Sequence, residues 1–126
     1  MAAVELRVPA ETAAVALART AVASVCARLD FTLERLEDTR LAVDEACSLL
    51  VAEAVPGTAM LLALDPRDDG GLDIVVSTRT RSGRPPASGS FAWTVMTTLV
   101  DDVTARVDAD GDVRVELHVA HGAVDA

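Results

Sequence analysis

The chain has 126 residues, and its 20 acidic against 11 basic side chains give a formal net charge of −9. Hydrophobic residues make up 51% of the sequence, enough for one packed domain, 1–126, while the aromatic share of 2% leaves its core to Leu, Val and Ala. The acidic balance argues against binding to a nucleic-acid backbone. It fits a basic protein partner better, although a need for solubility alone explains it equally well. No apolar run approaches the roughly 20 residues that span a membrane.

The first half of the chain has the periodicity of one strand and two helices. Val4–Val8 alternates apolar and polar side chains, which predicts a short strand. Apolar residues at helical spacing predict a helix from Glu11 or Thr12 to about Leu29. Thr32 then provides an N-cap for a second helix, which runs to about Ala54.

The second helix carries apolar residues on two sides. One side is predicted to face the core, and it consists of Leu33, Leu36, Val43, Cys47, Leu50 and Ala54. The other side carries Leu41, Glu45 and Leu49 at four-residue spacing. A purely solvated face would not place two leucines around a glutamate, so this helix is expected to make contacts on both sides.

The second half of the sequence predicts four strands and a third helix. The strands are Ala59–Leu64, Leu72–Thr80, Asp102–Val107 and Val113–Val119, and the helix is Phe91–Val100 with Ser90 as its N-cap. Pro66–Gly71 is a strong turn signal, and Arg81–Ser90 is a Gly-, Pro- and Ser-rich loop expected on the surface. The order β-α-α-β-β-α-β-β predicts an α+β two-layer sandwich, with three helices on one face of a mostly antiparallel five-stranded sheet.

Glu45 is the best candidate for chemistry in the sequence. A carboxylate between Leu41 and Leu49 on one helix face would be partly desolvated, as suits a general base. The simpler interpretation of this motif alone is a glutamate at the edge of the helix that pairs with an arginine, because single motifs often occur without the function they suggest. No metal site is predicted, because His118 and His121 point to opposite faces and no third ligand lies nearby.

The two cysteines, Cys26 and Cys47, lie inside the helical patterns and do not form a Cys-x-x-Cys pair. Buried free thiols are the simpler interpretation, and a disulfide or redox switch is the alternative. The N-terminus has an acid, Glu5, and no basic region followed by an apolar block, so no secretory signal is predicted. These features favour a cytoplasmic location.

Three segments carry a family resemblance: LARTAVASVCARLDF from Leu17, LAVDEACSLLVAEA from Leu41, and SGSFAWTVMTTLVDDV from Ser88. Together they resemble the RsbW-type anti-sigma factors, which are serine-protein kinases with the Bergerat (GHKL, histidine-kinase-like) ATPase fold. The second segment is similar to the family's N-box helix, and the third is similar to the helix after the nucleotide lid. The resemblance covers nearly the whole chain and implies the same α+β fold.

The nucleotide motifs of that family are altered in this chain. The family's N-box reads Glu-x-x-x-Asn, with the glutamate as base and the asparagine as magnesium ligand; here Glu45 is present, but Leu49 stands at the asparagine position. A leucine cannot ligate a hard cation. The family's adenine-binding Asp-x-Gly-x-Gly has no counterpart in STRTRSGRPP. Ser90, Phe91 and Ala92 stand at the positions of the phosphate-binding Gly-x-Gly, where their side chains would crowd the phosphates. The resemblance therefore implies weak or lost ATP binding and no required cofactor.

The function that the resemblance implies is binding rather than phosphoryl transfer. Family members dimerise, hold an alternative sigma factor away from RNA polymerase, and release it when a STAS-type anti-anti-sigma protein competes, often in a stress response. An arginine on the family's first helix contacts both partners, and Arg19 matches it. Two alternatives stay open. One is an active serine kinase that uses Glu45 with ATP and magnesium, and the other is a non-catalytic dimerisation module of another signalling route.

Overall fold

A computed structural model describes residues 2–122 of the chain. The elements, in chain order, are β1 (Val4–Pro9), a 3-10 turn (Thr12–Ala14), α1 (Val15–Arg28), α2 (Leu33–Glu53), β2 (Ala59–Pro66), β3 (Leu72–Thr78), α3 (Phe91–Leu99), β4 (Asp102–Val107) and β5 (Val113–Val119). This order confirms the predicted succession of strands and helices, with the 3-10 turn added before α1. Within the described part of the chain, no helix is both long and apolar enough to cross a bilayer.

The described strands form one sheet in the order β1-β2-β3-β5-β4, and every neighbouring pair is antiparallel. Side chains alternate between its two faces. On β5, Val113, Val115 and Leu117 are buried on the inner face, whereas Arg114 and Glu116 lie on the outer face. The helices pack against the inner face, so the predicted two-layer α+β sandwich is confirmed.

Helices α1 and α2 lie side by side over the sheet. The turn between them contains Asp30, with a positive φ of 58°, and Thr32, whose Oγ1 accepts a hydrogen bond from the Arg35 amide at 3.1 Å. Thr39 is fully buried between the helices and the core, and its hydroxyl donates to the Arg35 carbonyl at 2.7 Å. That bond satisfies a polar group which would otherwise be costly to bury.

One prediction for α2 is wrong. Leu33, which was expected to face the core, is 75% exposed, because it is the first residue of α2 and nothing covers the helix there. Ala42 and Ala46, assigned to neither side of the helix, are fully buried. The buried stripe of α2 is therefore broader than predicted, and it begins further from the start of the helix.

The loop before α3 is fastened at both ends. β3 ends at Thr78, earlier than predicted, but Thr80 still makes a single antiparallel bridge with Ala54 just after α2. At the other end, the Trp93 amide donates to Ser90 Oγ at 3.2 Å, which makes Ser90 the N-cap of α3, as predicted. Trp93 is half-buried and packs against the core. These contacts place α3 alongside α2.

Candidate functional site

Two hollows lie along α2, on the side that carries Leu41, Glu45 and Leu49. The first, which we call the loop cavity, lies between α2 and the loop 81–90. The second, which we call the α2–α3 groove, lies between α2 and α3. Because α1 and α3 both pack against α2, the prediction that this helix makes contacts on two sides is confirmed.

The loop cavity has a volume of about 260 Å³ and lies where the last turns of α2 meet the loop. Its walls include Leu49, Leu50, Glu53, Arg84, Pro85 and Ser90. Leu50 is 2% exposed and belongs to the core, and half-buried Leu49 packs against that core. The α2 wall is therefore apolar at these two positions and acidic at Glu53.

Arg81 fastens the loop to the C-terminal end of α2. Its amide donates to the Glu53 carbonyl at 2.8 Å, and its guanidinium donates to the Ala52 carbonyl at 2.9 Å. The same guanidinium lies 3.3 Å from the Glu53 carboxylate. A cation is favourable here, because the last carbonyls of a helix lack partners within it. The Glu53 carboxylate therefore already has a partner within the chain.

The positions predicted from the nucleotide motifs fall in different places. Leu49 and Ser90 both line the loop cavity, whereas Glu45 lines the α2–α3 groove. Ala92 is half-buried in the first turn of α3 and lines neither hollow. The predicted base and the predicted metal position, one helical turn apart, therefore face different hollows, and their roles remain predictions.

The α2–α3 groove is open to solvent, with a volume of about 410 Å³. It is lined by Leu41, Asp44, Glu45, Thr94, Val95, Thr98 and Leu99. Leu41 is 50% exposed, and with half-buried Val95 and Leu99 it gives the groove an apolar floor. The residues that α3 contributes were not predicted from the sequence, because the pattern of its threonines does not show which neighbouring element they face.

Arg19, predicted as a partner contact, lies beside this groove. Its guanidinium Nε is 3.5 Å from Asp44 Oδ1, and the two side chains are 46% and 33% exposed. The contact joins the outer surface of α1 to that of α2. Arg19 is therefore accessible to a partner, and Asp44 links it to the α2–α3 groove.

Both cysteines lie on the core side of the helices and are free thiols. Burial raises the pKa of Cys26 to about 11 and, with the nearby charge of Asp44, raises the pKa of Cys47 to about 12. At neutral pH almost none of either thiol is in the reactive thiolate form. The geometry therefore favours the interpretation as buried free thiols over a redox switch.

The two histidines are held by different parts of the fold. His118 Nδ1 lies 2.8 Å from one Asp73 oxygen on the outer face of the sheet, and Arg67 donates to the other at 2.8 Å. Partial burial raises the pKa of Asp73, but the bonds and charges of His118 and Arg67 outweigh it and lower the pKa overall. His121 Nε2 lies 2.9 Å from the Leu29 carbonyl oxygen. In residues 2–122, no group of three or more His, Cys, Asp or Glu side chains is placed to hold a metal ion.

Residues 8–119 match the family model of the histidine kinase-like ATPase domain. The anti-sigma-F factors RsbW of Mycobacterium tuberculosis strains CDC 1551 / Oshkosh and ATCC 25618 / H37Rv are each 41% identical to this chain over 103 residues. The alignments cover 80% of this chain and 60% of each relative, so the chain spans less than two thirds of the length of the curated relatives it matches.

Among solved structures, that of the RsbU and RsbW domains of Rv1364c from Mycobacterium tuberculosis is similar, with a TM-score of 0.76 and 14% sequence identity. The match covers 95% of this chain and 32% of that chain. At this identity the likeness concerns the fold, and it agrees with the arrangement of sheet and helices described above.

Proposed function

The chain belongs to the histidine kinase-like ATPase domain family, and we propose that it acts in the cytoplasm as an anti-sigma factor that holds an alternative sigma factor away from RNA polymerase. A STAS-type anti-anti-sigma protein releases the sigma factor by competing for the same surface. The observation that carries the proposal is the 41% identity to anti-sigma-F factors RsbW over 80% of this chain. The same match confirms the predicted resemblance to RsbW-type proteins.

The loop cavity supports an anti-sigma role that does not depend on ATP. Magnesium requires oxygen ligands, and α2 presents the apolar Leu49 where the family pattern has an asparagine. The carboxylate in the cavity wall, Glu53, already pairs with Arg81. These residues do not fit a magnesium-bound nucleotide, so we assign no phosphoryl-transfer step to Glu45.

Arg19 is the residue that we propose for partner contact. Its ion pair with Asp44 is long, at 3.5 Å, and its side chain is 46% exposed. Such exposed pairs contribute little to stability, so the guanidinium can turn toward an acidic group of a partner at small cost. Arg28, on the same helix and also exposed, offers a matched control.

The test measures binding of the purified chain to each purified sigma factor of its source organism, with and without ATP and magnesium. We expect one sigma factor to bind equally well in both conditions. Arg19→Ala should weaken that binding by about tenfold, or about 1.4 kcal/mol, whereas Arg28→Ala should change it by less than about twofold. Absence of any sigma complex contradicts the proposal, and ATP-dependent phosphorylation of a STAS-domain serine would establish the kinase alternative.

We also propose that the chain forms a homodimer through the outer face of its sheet. Leu61, 38% exposed, lies near Ala63 and Val75 at the centre of this face. Arg114 and Glu116 add charges of both signs, so two copies related by a two-fold axis can pair opposite charges. In sedimentation velocity, Leu61→Asp should convert the dimer into a monomer, and a wild-type monomer at every concentration contradicts the proposal.

A further inference from the structure

The α2–α3 groove has an apolar floor, and the threonine hydroxyls beside that floor already make hydrogen bonds within the chain. Leu41, Val95 and Leu99 supply the aliphatic surface. The hydroxyls of Thr94 and Thr98 donate to carbonyls of α3 or its N-cap, at 3.3 and 2.7 Å. Neither hydroxyl therefore needs a partner in the groove, and its floor is suited to an aliphatic side chain.

Carboxylates occupy the α2 side of the groove. Asp44 is paired with Arg19. Within residues 2–122, the Glu45 side chain takes part in no ion pair and no side-chain hydrogen bond, and none of the residues that line the groove is basic. The groove thus combines an aliphatic floor with an unpaired negative charge.

This combination excludes two kinds of occupant. A phosphate-bearing ligand would meet the Asp44 and Glu45 carboxylates, and like charges repel. A second copy docked groove to groove would bring two unpaired Glu45 carboxylates toward each other. A helix of a basic partner, with an aliphatic side chain one turn from a Lys or Arg, complements both the floor and the charge.

We propose that the α2–α3 groove binds an amphipathic, basic helix of the sigma factor, with an aliphatic side chain on Leu41 and Val95 and a Lys or Arg on Glu45. This inference rests on the proposed anti-sigma function and makes Glu45 a recognition residue. Because Asp44 contacts Arg19 and also lines the groove, one partner can reach both the groove and Arg19.

A matched pair of substitutions on α3 tests the inference. Thr98 lines the groove, whereas its exposed neighbour Thr97 lies outside it. Thr98→Arg fills the groove and neutralises its charge, and Thr97→Arg adds the same charge elsewhere. In calorimetric titration with the sigma factor, we expect Thr98→Arg to bind at least about tenfold more weakly than wild type, and Thr97→Arg within about twofold of it. Equal affinities of the two variants overturn the inference.

A second pair keeps the test decisive if Thr98→Arg does not fold. Glu45→Gln leaves the shape of the groove unchanged, and Glu34→Gln makes the same change at an exposed position in the first turn of α2. We expect Glu45→Gln to weaken binding about fivefold and to reduce its dependence on salt, because one charge pair is lost. Unchanged affinity and salt dependence overturn the role of Glu45.

A designed peptide separates failure of this inference from failure of the proposed function. The probe is an amphipathic helix of about 18 residues, made of Leu and Lys, and its control has Glu in place of Lys. Amide resonances of Leu41, Val95 and Thr98 should shift with the Lys peptide alone. If no sigma factor binds, the proposed function fails, and this peptide result still supports the groove. Shifts of these amides with both peptides or with neither overturn the inference.

Discussion

The loop cavity and the α2–α3 groove lie on consecutive turns of one helix, but they differ in chemistry. In the loop cavity, Leu49 and Leu50 form an apolar wall, and the neighbouring Glu53 is already bound by Arg81. In the groove, Glu45 faces solvent space without a side-chain partner among the described residues. Leu49 and Glu45 are four residues apart on α2. The carboxylate beside Leu49 is already paired with Arg81, whereas the Glu45 carboxylate is available to a binding partner. We infer that the α2–α3 groove contributes more to partner binding than the loop cavity does.

The largest effect is expected when one leucine of each hollow is replaced by alanine: Leu50 at the loop cavity and Leu41 at the α2–α3 groove. Leu50 is 2% exposed and Leu41 is 50% exposed. Leu50→Ala should lower the free energy of unfolding by about 2–5 kcal/mol, because it removes buried methyl groups and leaves a void. Leu41→Ala should lower it by less than about 1 kcal/mol, because much of that side chain is already in water. Urea unfolding measures both, and equal losses would show that the groove floor belongs to the core.

The next test concerns the core behind both hollows. The sequence has no Lys and no Tyr, so the thiols of Cys26 and Cys47 are the side chains that ionise near pH 9 in the unfolded chain. Burial raises the pKa of both thiols above the ordinary value of 9.0, to about 11 and about 12, so the folded chain keeps protons that the unfolded chain releases. Their contribution to stability is therefore intact below pH 9 and is lost as the pH rises.

From pH 9 to pH 10, the two thiols together should remove on the order of 2 kcal/mol from the free energy of unfolding. Urea unfolding at several pH values measures this loss. In the double variant Cys26→Ala, Cys47→Ala the loss over the same interval should disappear. An equal loss in wild type and variant would mean that groups other than the thiols cause it. No loss in wild type would mean that water reaches the two thiols, and the contrast between the inner and outer sides of the helices would then weaken.

Leu49→Asn tests whether Leu49 alone prevents the loop cavity from binding ATP and magnesium. The change should lower the free energy of unfolding by about 1–2 kcal/mol, because a half-buried leucine loses its contacts with the core. We expect no ATP binding at millimolar concentration, since Ser90 and Ala92 still occupy the positions of the family's phosphate-binding glycines. Titration calorimetry with ATP and magnesium measures this, and a clear heat of binding would show that Leu49 alone blocks the nucleotide.

The smallest effect on stability is expected from Glu53→Gln, which removes the ion pair with Arg81. The two side chains are 55% and 61% exposed, so the pair should contribute less than about 0.5 kcal/mol. Trypsin should nevertheless cleave the loop faster after Arg81, because the loop opens locally without global unfolding; the bond after Arg84 resists trypsin because Pro85 follows it. Glu34→Gln is the control. Equal cleavage of both variants would mean that the backbone bonds of Arg81 suffice to hold the loop.

Features with a local cause were predictable from the sequence. The alternation of β5 and the N-caps Thr32 and Ser90 follow from neighbouring residues alone, and all three are present. The exposure of Leu33 was not predictable, because an apolar periodicity does not show where the neighbouring element ends. The Arg81–Glu53 contact joins residues 28 positions apart, so only the course of the loop reveals it.

The candidate site was predictable in part for the same reason. Helical spacing placed Glu45 and Leu49 on one side of α2, and the structure agrees. Their assignment to separate hollows depends on where the loop 81–90 and α3 cross α2. That crossing is set by packing between distant segments, and local patterns carry no information about it.

Trp93 is the single tryptophan of the sequence, and it lies half-buried in the first turn of α3, where it packs against the core. Its fluorescence therefore reports on one place in the molecule. A partner helix that moves α3, or a loop that detaches from α2, changes the water around this indole and shifts its emission. The unlabelled protein thus carries an optical probe at the start of α3, the helix that forms one wall of the α2–α3 groove.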